Sequence, residues 1–233
     1  MSRISLTLTA FLLLISCSSE ENNDLDPVIR SFSEQVAYEY GAENWDQIKS
    51  ISYTFVIERE DTTIKRKWRW LPPKDSVYYS YRSGDSVINI AFKKSTLDTT
   101  SEAMINADMR FINDQYWLLF PLQIMWNEVE TEEIASQPAP ISGQNATQLN
   151  VKFGNGGYTP NDVYELYINE ENRIIEWMYK RGGSEENSSA YTWEKHQLIG
   201  PLLIAMLHRH QDGKRAIRFE DVVIETTDGE IYR

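Results

Sequence analysis

Short blocks of alternating apolar and polar residues, each closed by turn-forming residues, recur along most of this chain and point to antiparallel β architecture. Ile51-Ser52-Tyr53-Thr54-Phe55-Val56-Ile57 alternates at period two, and in the next run Arg66, Trp68 and Trp70 face opposite Lys65, Lys67 and Arg69. Glu60-Asp61-Thr62 joins these two as a hairpin, and Pro72-Pro73 ends the second strand. Val77 to Tyr81 forms a third strand, which turns at Ser83-Gly84-Asp85 into Val87 to Phe92. Six later blocks are Thr147 to Phe153, Asp162 to Ile168, Arg173 to Lys180, Ala190 to Gln197, Leu202 to Arg209 and Ala216 to Thr226. Turn-rich pieces such as Gly154-Asn155-Gly156-Gly157 and Gln211-Asp212-Gly213-Lys214 separate them.

Two segments break the alternation. Asp26-Pro27 offers an N-cap with proline at the first helical position, and Leu25, Val28, Ile29, Phe32, Val36 and Tyr40 recur at helical spacing up to a stop at Gly41. Thr100 to Asn127 is crowded with Met, Phe, Trp and Leu at no β period. It predicts a helix over Ser101 to Asp114, restarting around Tyr116 and interrupted at Pro121. The expected fold is mainly β with helices (α+β): one curved antiparallel sheet, an incomplete β-barrel covered by the N-terminal helix and the helical insertion, in a single domain over 27–233.

At the N-terminus, Arg3 precedes an apolar run from Ile4 to Ile15. A membrane-spanning helix needs about 20 apolar residues, so this run reads as a cleaved signal peptide over 1–16. Leu14-Ile15-Ser16-Cys17 resembles the lipobox of bacterial lipoproteins, in which a small residue precedes the cysteine that is acylated. Cys17 is the only cysteine in the chain. An ordinary secretory signal with an incidental cysteine, or an uncleaved hydrophobic helix, is the competing reading. Residues 17–26 then form an acidic tether, and Ser18-Ser19-Glu20-Glu21 looks like the acidic tag that sends some lipoproteins to the outer surface. The expected address is the outer membrane, on its periplasmic face or at the cell surface, with the membrane itself a partner through the acyl anchor.

The formal net charge of -12 opposes binding to a phosphate backbone, so no nucleic-acid partner is expected. A hydrophobic content of 41% separates the chain from disordered acidic proteins.

Three stretches carry a family resemblance: Gly41-Ala42-Glu43-Asn44-Trp45-Asp46-Gln47-Ile48-Lys49-Ser50, Tyr116-Trp117-Leu118-Leu119-Phe120-Pro121, and Asp162-Val163-Tyr164-Glu165-Leu166-Tyr167-Ile168. With the order helix, four strands, helical insertion and more strands, they resemble bacterial lipoproteins related to the lipoprotein-carrier and receptor fold of the Lol system. The resemblance implies a half-barrel that takes a lipid or a lipoprotein as ligand. The long aromatic insertion departs from the receptor pattern, and no residue here matches the receptor's membrane-inserting loop.

No sequence signature of catalysis is found: there is no His-Glu-x-x-His, no Gly-x-Ser-x-Gly and no phosphate-binding glycine loop, and no cofactor is expected. His208 and His210 are two apart on a strand and so share a face, but no third metal ligand is spaced to join them. The pair reads as a solvated strand end. The weight therefore moves to binding. One face of the first strands supplies Tyr53, Phe55, Trp68, Trp70, Tyr79 and Tyr81 as candidate cleft lining. Leu166, Trp177 and Tyr179 come from the later strands, and Phe120 and Trp126 from the lid. Such a surface suits an acyl chain, giving a non-enzymatic binder or carrier of an apolar ligand. The alternative is a surface interaction module for an outer-membrane assembly or a glycan, with these aromatics filling the core.

Overall fold

The computed structural model describes residues 30–233 apart from 155, 157 and 159. The signal peptide, Cys17, the acidic tether and the Asp26-Pro27 helix start lie outside the described residues, as does part of the Gly154–Gly157 turn. The first described helix, α1 (Phe32–Glu39), is capped at Ser31. The Ser31 hydroxyl accepts from the Glu34 N–H at 3.3 Å, while the Glu34 carboxylate accepts from the Ser31 N–H at 2.7 Å. It ends where expected. Gly41 adopts φ +86°, and a Cβ there would lie 2.1 Å from the Pro201 carbonyl oxygen, so both conformation and space demand glycine.

The chain then builds β1 (Ile48–Arg59), β2 (Thr62–Leu71), β3 (Ser76–Ser83) and β4 (Ser86–Lys93) as an antiparallel meander. After α2 (Glu102–Trp126) come β5 (Val129–Pro138), β6 (Asn145–Phe153), β7 (Val163–Ile168), β8 (Ile174–Lys180) and β9 (Ser188–Thr192). The last group is β10 (Glu194–Ile199), β11 (Leu202–Arg209), β12 (Ala216–Thr226) and the short β13 (Ile231–Tyr232). The mainly-β architecture with two principal helices is as expected, but the strands divide into two antiparallel sheets, neither closed into a barrel. One runs β10-β11-β12-β1-β2-β3-β4, with β13 on β12; the other runs β5-β6-β7-β8-β9.

Trp193 makes the division. The strand expected over Ala190 to Gln197 breaks there into β9, which joins one sheet, and β10, which joins the other. The Trp193 N–H donates to the Ile175 carbonyl at 2.7 Å, and Lys195 takes φ +55° just beyond the corner. Switching sheets in mid-strand lets one chain segment hold two layers at an angle. The sheets touch on this side: the Arg209 N–H donates to the Thr192 hydroxyl at 2.9 Å, and Tyr191 bridges His210. The free edges, β4 and β5, are at the other ends, and α2 is the connection between them.

The strand β5 has no counterpart in the expected elements. Its sequence, Val-Glu-Thr-Glu-Glu-Ile-Ala-Ser-Gln-Pro, is mostly exposed and so carries no apolar period, and its glutamates and terminal proline suit an unpaired edge.

The helix α2 runs from its Ser101 cap past Pro121 with one kink, where the sequence predicts an interruption at Pro121 itself. The only non-helical dihedrals are at Leu119 (φ -128°, ψ 26°), two residues before the proline that cannot donate to the preceding turn. Every residue from Leu118 to Ile124 is buried. A helix apolar on all sides belongs in an interior. Phe111 packs on Trp68, Trp70 and Phe92 of the first sheet, whereas Phe120 packs on Phe153, Tyr164 and Trp177 of the second. The main core is thus an apolar cluster shared by both sheets with α2 in its middle, and Ala139, Ala146 and Tyr167 form a small second one. No helix among the described residues is long and apolar enough to cross a membrane.

Candidate functional site

The register of the meander assigns each side chain to a face. Tyr53 pairs with Trp68, Trp68 with Tyr79 and Tyr79 with Ile90, so this row points inward; Phe55, Arg66, Tyr81 and Ile88 form the next inward row. The nine candidate lining residues on strands lie on the inward side, and Phe120 and Trp126 of α2 pack against them. Trp68 stacks on Tyr79 at 4.1 Å, and Tyr79 on Tyr81 at 4.9 Å. Tyr53 and Phe55 both meet Phe219 edge-on. Trp70 and Trp126 enclose Trp45, whose ring lies 5.2 Å and 4.3 Å from theirs. In the second sheet Leu166 is fully buried, Phe120 lies 5.1 Å from Trp177, and Tyr179 lies 5.2 Å from Tyr164. The structure therefore brings these residues together as packed interior in two groups, one on each side of α2. Contacts of this density match an ordinary protein core.

Two carboxylates on α2 hold it to its surroundings. Asp114 is fully buried and accepts from Arg66 Nε at 2.7 Å and Nη2 at 2.6 Å, from Trp68 Nε1 at 2.8 Å and from Asn113 at 2.9 Å. Burial pushes its carboxyl above the ordinary range, against the pull of the Arg66 guanidinium and the other donors. Asp108, one face earlier, accepts from Lys94 at 3.1 Å and from the Tyr158 hydroxyl at 2.9 Å. Both anchors precede the Leu119 break.

The histidines correct the expected solvated strand end. His208 is 0% exposed and His210 is buried as well. His208 Nδ1 donates to the Thr192 carbonyl at 3.2 Å, and its ring is enclosed by Trp117, Trp193 and Phe219; burial holds its pKa down at about 3, so it is neutral. His210 sits against Tyr191 and contacts Asp212 and Arg215. His196 accepts from the buried Tyr40 hydroxyl at 2.8 Å, and that hydroxyl accepts from the Ile174 N–H. The three serve packing between the sheets. No group of three or more His, Cys, Asp or Glu side chains among the described residues could hold a metal.

The opposite face of the same meander differs in kind. In β2, β3 and β4 there are six cations, Lys65, Arg66, Lys67, Arg69, Arg82 and Lys93, and no acid, within a chain that has 35 acids and 23 Lys plus Arg. Only Arg66 points inward; the other five are exposed. Next to them, β1 and β12 carry paired charges: Lys65 meets Glu220 at 2.7 Å, Lys49 meets Glu225 at 2.6 Å, and Arg218 meets Glu58 at 2.7 Å. Arg69 reaches Glu225 only at 3.9 Å, and Lys67, Arg82 and Lys93 form no ion pair among the described residues. Outward rows are Thr54, Lys67, Ser80 and Asn89, then Ser52, Arg69, Tyr78 and Ala91. Across these rows lies a shallow recess of about 290 Å³ with Lys67, Arg69, Tyr78, Ser80 and Asn89 on its rim. Tyr78 leaves 49% of its surface open. The sequence shows this face as the Lys65, Lys67, Arg69 alternation; its signal is the absence of acids from three successive strands of an acidic chain.

No family model matches the chain, and no curated protein matches it. Among solved structures it is similar to a DUF1329 family protein from Desulfovibrio piger, with 8% identity over 82% of this chain and 90% of that one and a TM-score of 0.43. Likeness at that level carries no functional information.

Proposed function

We propose that this protein is a non-enzymatic surface-binding module, tethered to the outer membrane through acylated Cys17, whose working surface is the outward face of β2, β3 and β4. The observation that carries this reading is the segregation of charge. Five exposed cations lie together on these strands of a chain of net charge -12, and three of them, Lys67, Arg82 and Lys93, have no ion-pair partner among the described residues, so their mutual repulsion is only partly offset. An anionic partner removes that cost. The outer-membrane address rests on the Leu14-Ile15-Ser16-Cys17 resemblance and on the acidic residues that follow it. A tether on an acidic domain keeps the body away from anionic headgroups and leaves the cationic face free for a ligand.

A second reading, closer to the Lol-like resemblance, makes the aromatic interior a cleft for an acyl chain, opened by bending of α2 at Leu119. The Leu119 break favours it. Native mass spectrometry of the gently purified soluble domain separates the two. A single apo mass across preparations supports the surface module; co-purifying acyl species overturn it in favour of the carrier.

A further inference from the structure

We propose that the recess on the outward face of β2–β4 binds an acidic polysaccharide, with Lys67 and Arg69 taking its anionic groups and Tyr78 stacking on a sugar ring. The proposal rests on the surface-module reading and adds the class of ligand. Three features point to a charged sugar polymer. Lys65, Lys67 and Arg69 alternate along one face of β2, so their side chains emerge about 7 Å apart. A linear polyanion laid along the strand meets these cations in succession. Tyr78 lies beside Arg69 in the pairing register, half exposed, and offers a flat ring to the C–H face of a sugar. Ser80 and Asn89 continue the Lys67 row and place neutral hydrogen-bonding groups where a polyol needs them.

Other anionic partners fit less well. A bilayer surface is flat and rewards apolar side chains that protrude into it, whereas the centre of this face is a recess. Single-stranded nucleic acid is held by several stacking rings in a basic groove, and here one exposed ring serves. Protection of a sheet edge does not account for the pattern, because β2 lies two strands in from the β4 edge and pairs on both sides.

The test is affinity electrophoresis and calorimetry of the protein with polygalacturonate, beside neutral dextran, phosphatidylglycerol vesicles and single-stranded DNA. Wild type should be retarded by polygalacturonate and not by dextran, and binding should weaken as salt rises. The double variant Lys67→Gln/Arg69→Gln should bind at least tenfold more weakly, since each charge-assisted contact is worth roughly a tenfold factor or more. Tyr78→Ala should lose several-fold. Lys152→Gln, on the other sheet and paired with Glu130, should bind as wild type does. No retardation by polygalacturonate overturns the proposal, as does equal loss in Lys152→Gln or an unaltered Tyr78→Ala. Equal affinity for vesicles or DNA with the same dependence on Lys67 and Arg69 overturns it too, in favour of plain anion attraction. A clean apo mass together with absent polygalacturonate binding removes the ligand class and leaves the surface module standing, whereas an acyl adduct removes the module itself.

Discussion

Protonation of His208 should be a major acid-sensitive step in this fold. In the native state its imidazole is fully buried, donates through Nδ1 to the Thr192 carbonyl and has a pKa near 3, against 6.5 when exposed. Between those values the unfolded chain holds a proton that the folded one refuses. Stability therefore rises with pH across this window, is fully present above about pH 6.5 and is lost progressively as pH falls below it. The shift implies a loss of about 1.4 kcal/mol at pH 5.5 and about 2 kcal/mol at pH 5, at 1.36 kcal/mol per unit. Paired carboxylates such as Glu220 and Glu225, held below their usual range by Lys65 and Lys49, also lose stability in acid, but around and below pH 4.5. Urea unfolding of wild type and His208→Gln from pH 7.5 to 5 separates the contributions, because the amide can replace the bond to Thr192 and does not titrate. Wild type should lose midpoint over this range, while the variant, lower at pH 7.5, should lose clearly less, keeping only the slope of His196, whose pKa burial also lowers. Parallel curves would refute the assignment of the slope to this ring.

Three other outcomes follow from single contacts. Asp114→Ala leaves Arg66 and the Trp68 indole without their buried acceptor and should cost about 3–5 kcal/mol by denaturant unfolding, with Arg66→Met/Asp114→Leu recovering part of it. Gly41→Ala forces a Cβ into the Pro201 carbonyl at a positive φ and should lower the thermal midpoint by far more than Gly84→Ala, whose Cβ meets nothing within 4 Å. Cys17→Ala should move the protein from the membrane to the soluble fraction on fractionation of cells, and a variant that stays with the membrane refutes the lipid anchor.

The meander β1–β4 is legible in the sequence because each strand has one face in the core and one in water, which writes a period of two into the residues. β5 is not, since an edge strand exposed along both faces has no reason to alternate. The break at Trp193 is invisible for the opposite reason: apolar and polar residues continue through Ala190-Tyr191-Thr192-Trp193, and only the choice of sheet changes, which is a tertiary event. His208 misleads because a polar residue near a turn is ordinarily wet; its burial depends on Trp117, far away in the chain. Nine of the eleven aromatic and aliphatic positions lie on inward strand faces and two on α2, but periodicity cannot distinguish a lined cleft from a filled interior. That distinction is made by α2, whose aromatic side chains occupy the space between the sheets.

The pairing of β1 with β12 sets the order in which the protein can be made. Ile51 lies opposite Ile224, so the longest strand near the start of the chain waits for nearly the last strand before its second edge is covered. At roughly 5–20 residues per second of synthesis, that interval is about 9–35 s, during which β1–β4 is a sheet with an open flank beside a helix whose second face has no partner. A chain stopped anywhere before Ala216 can never close that flank. Nonsense or frameshift changes in the final strands should therefore yield an aggregation-prone product and not a slightly shortened domain, and holdase chaperones should bind the growing chain until β12 arrives.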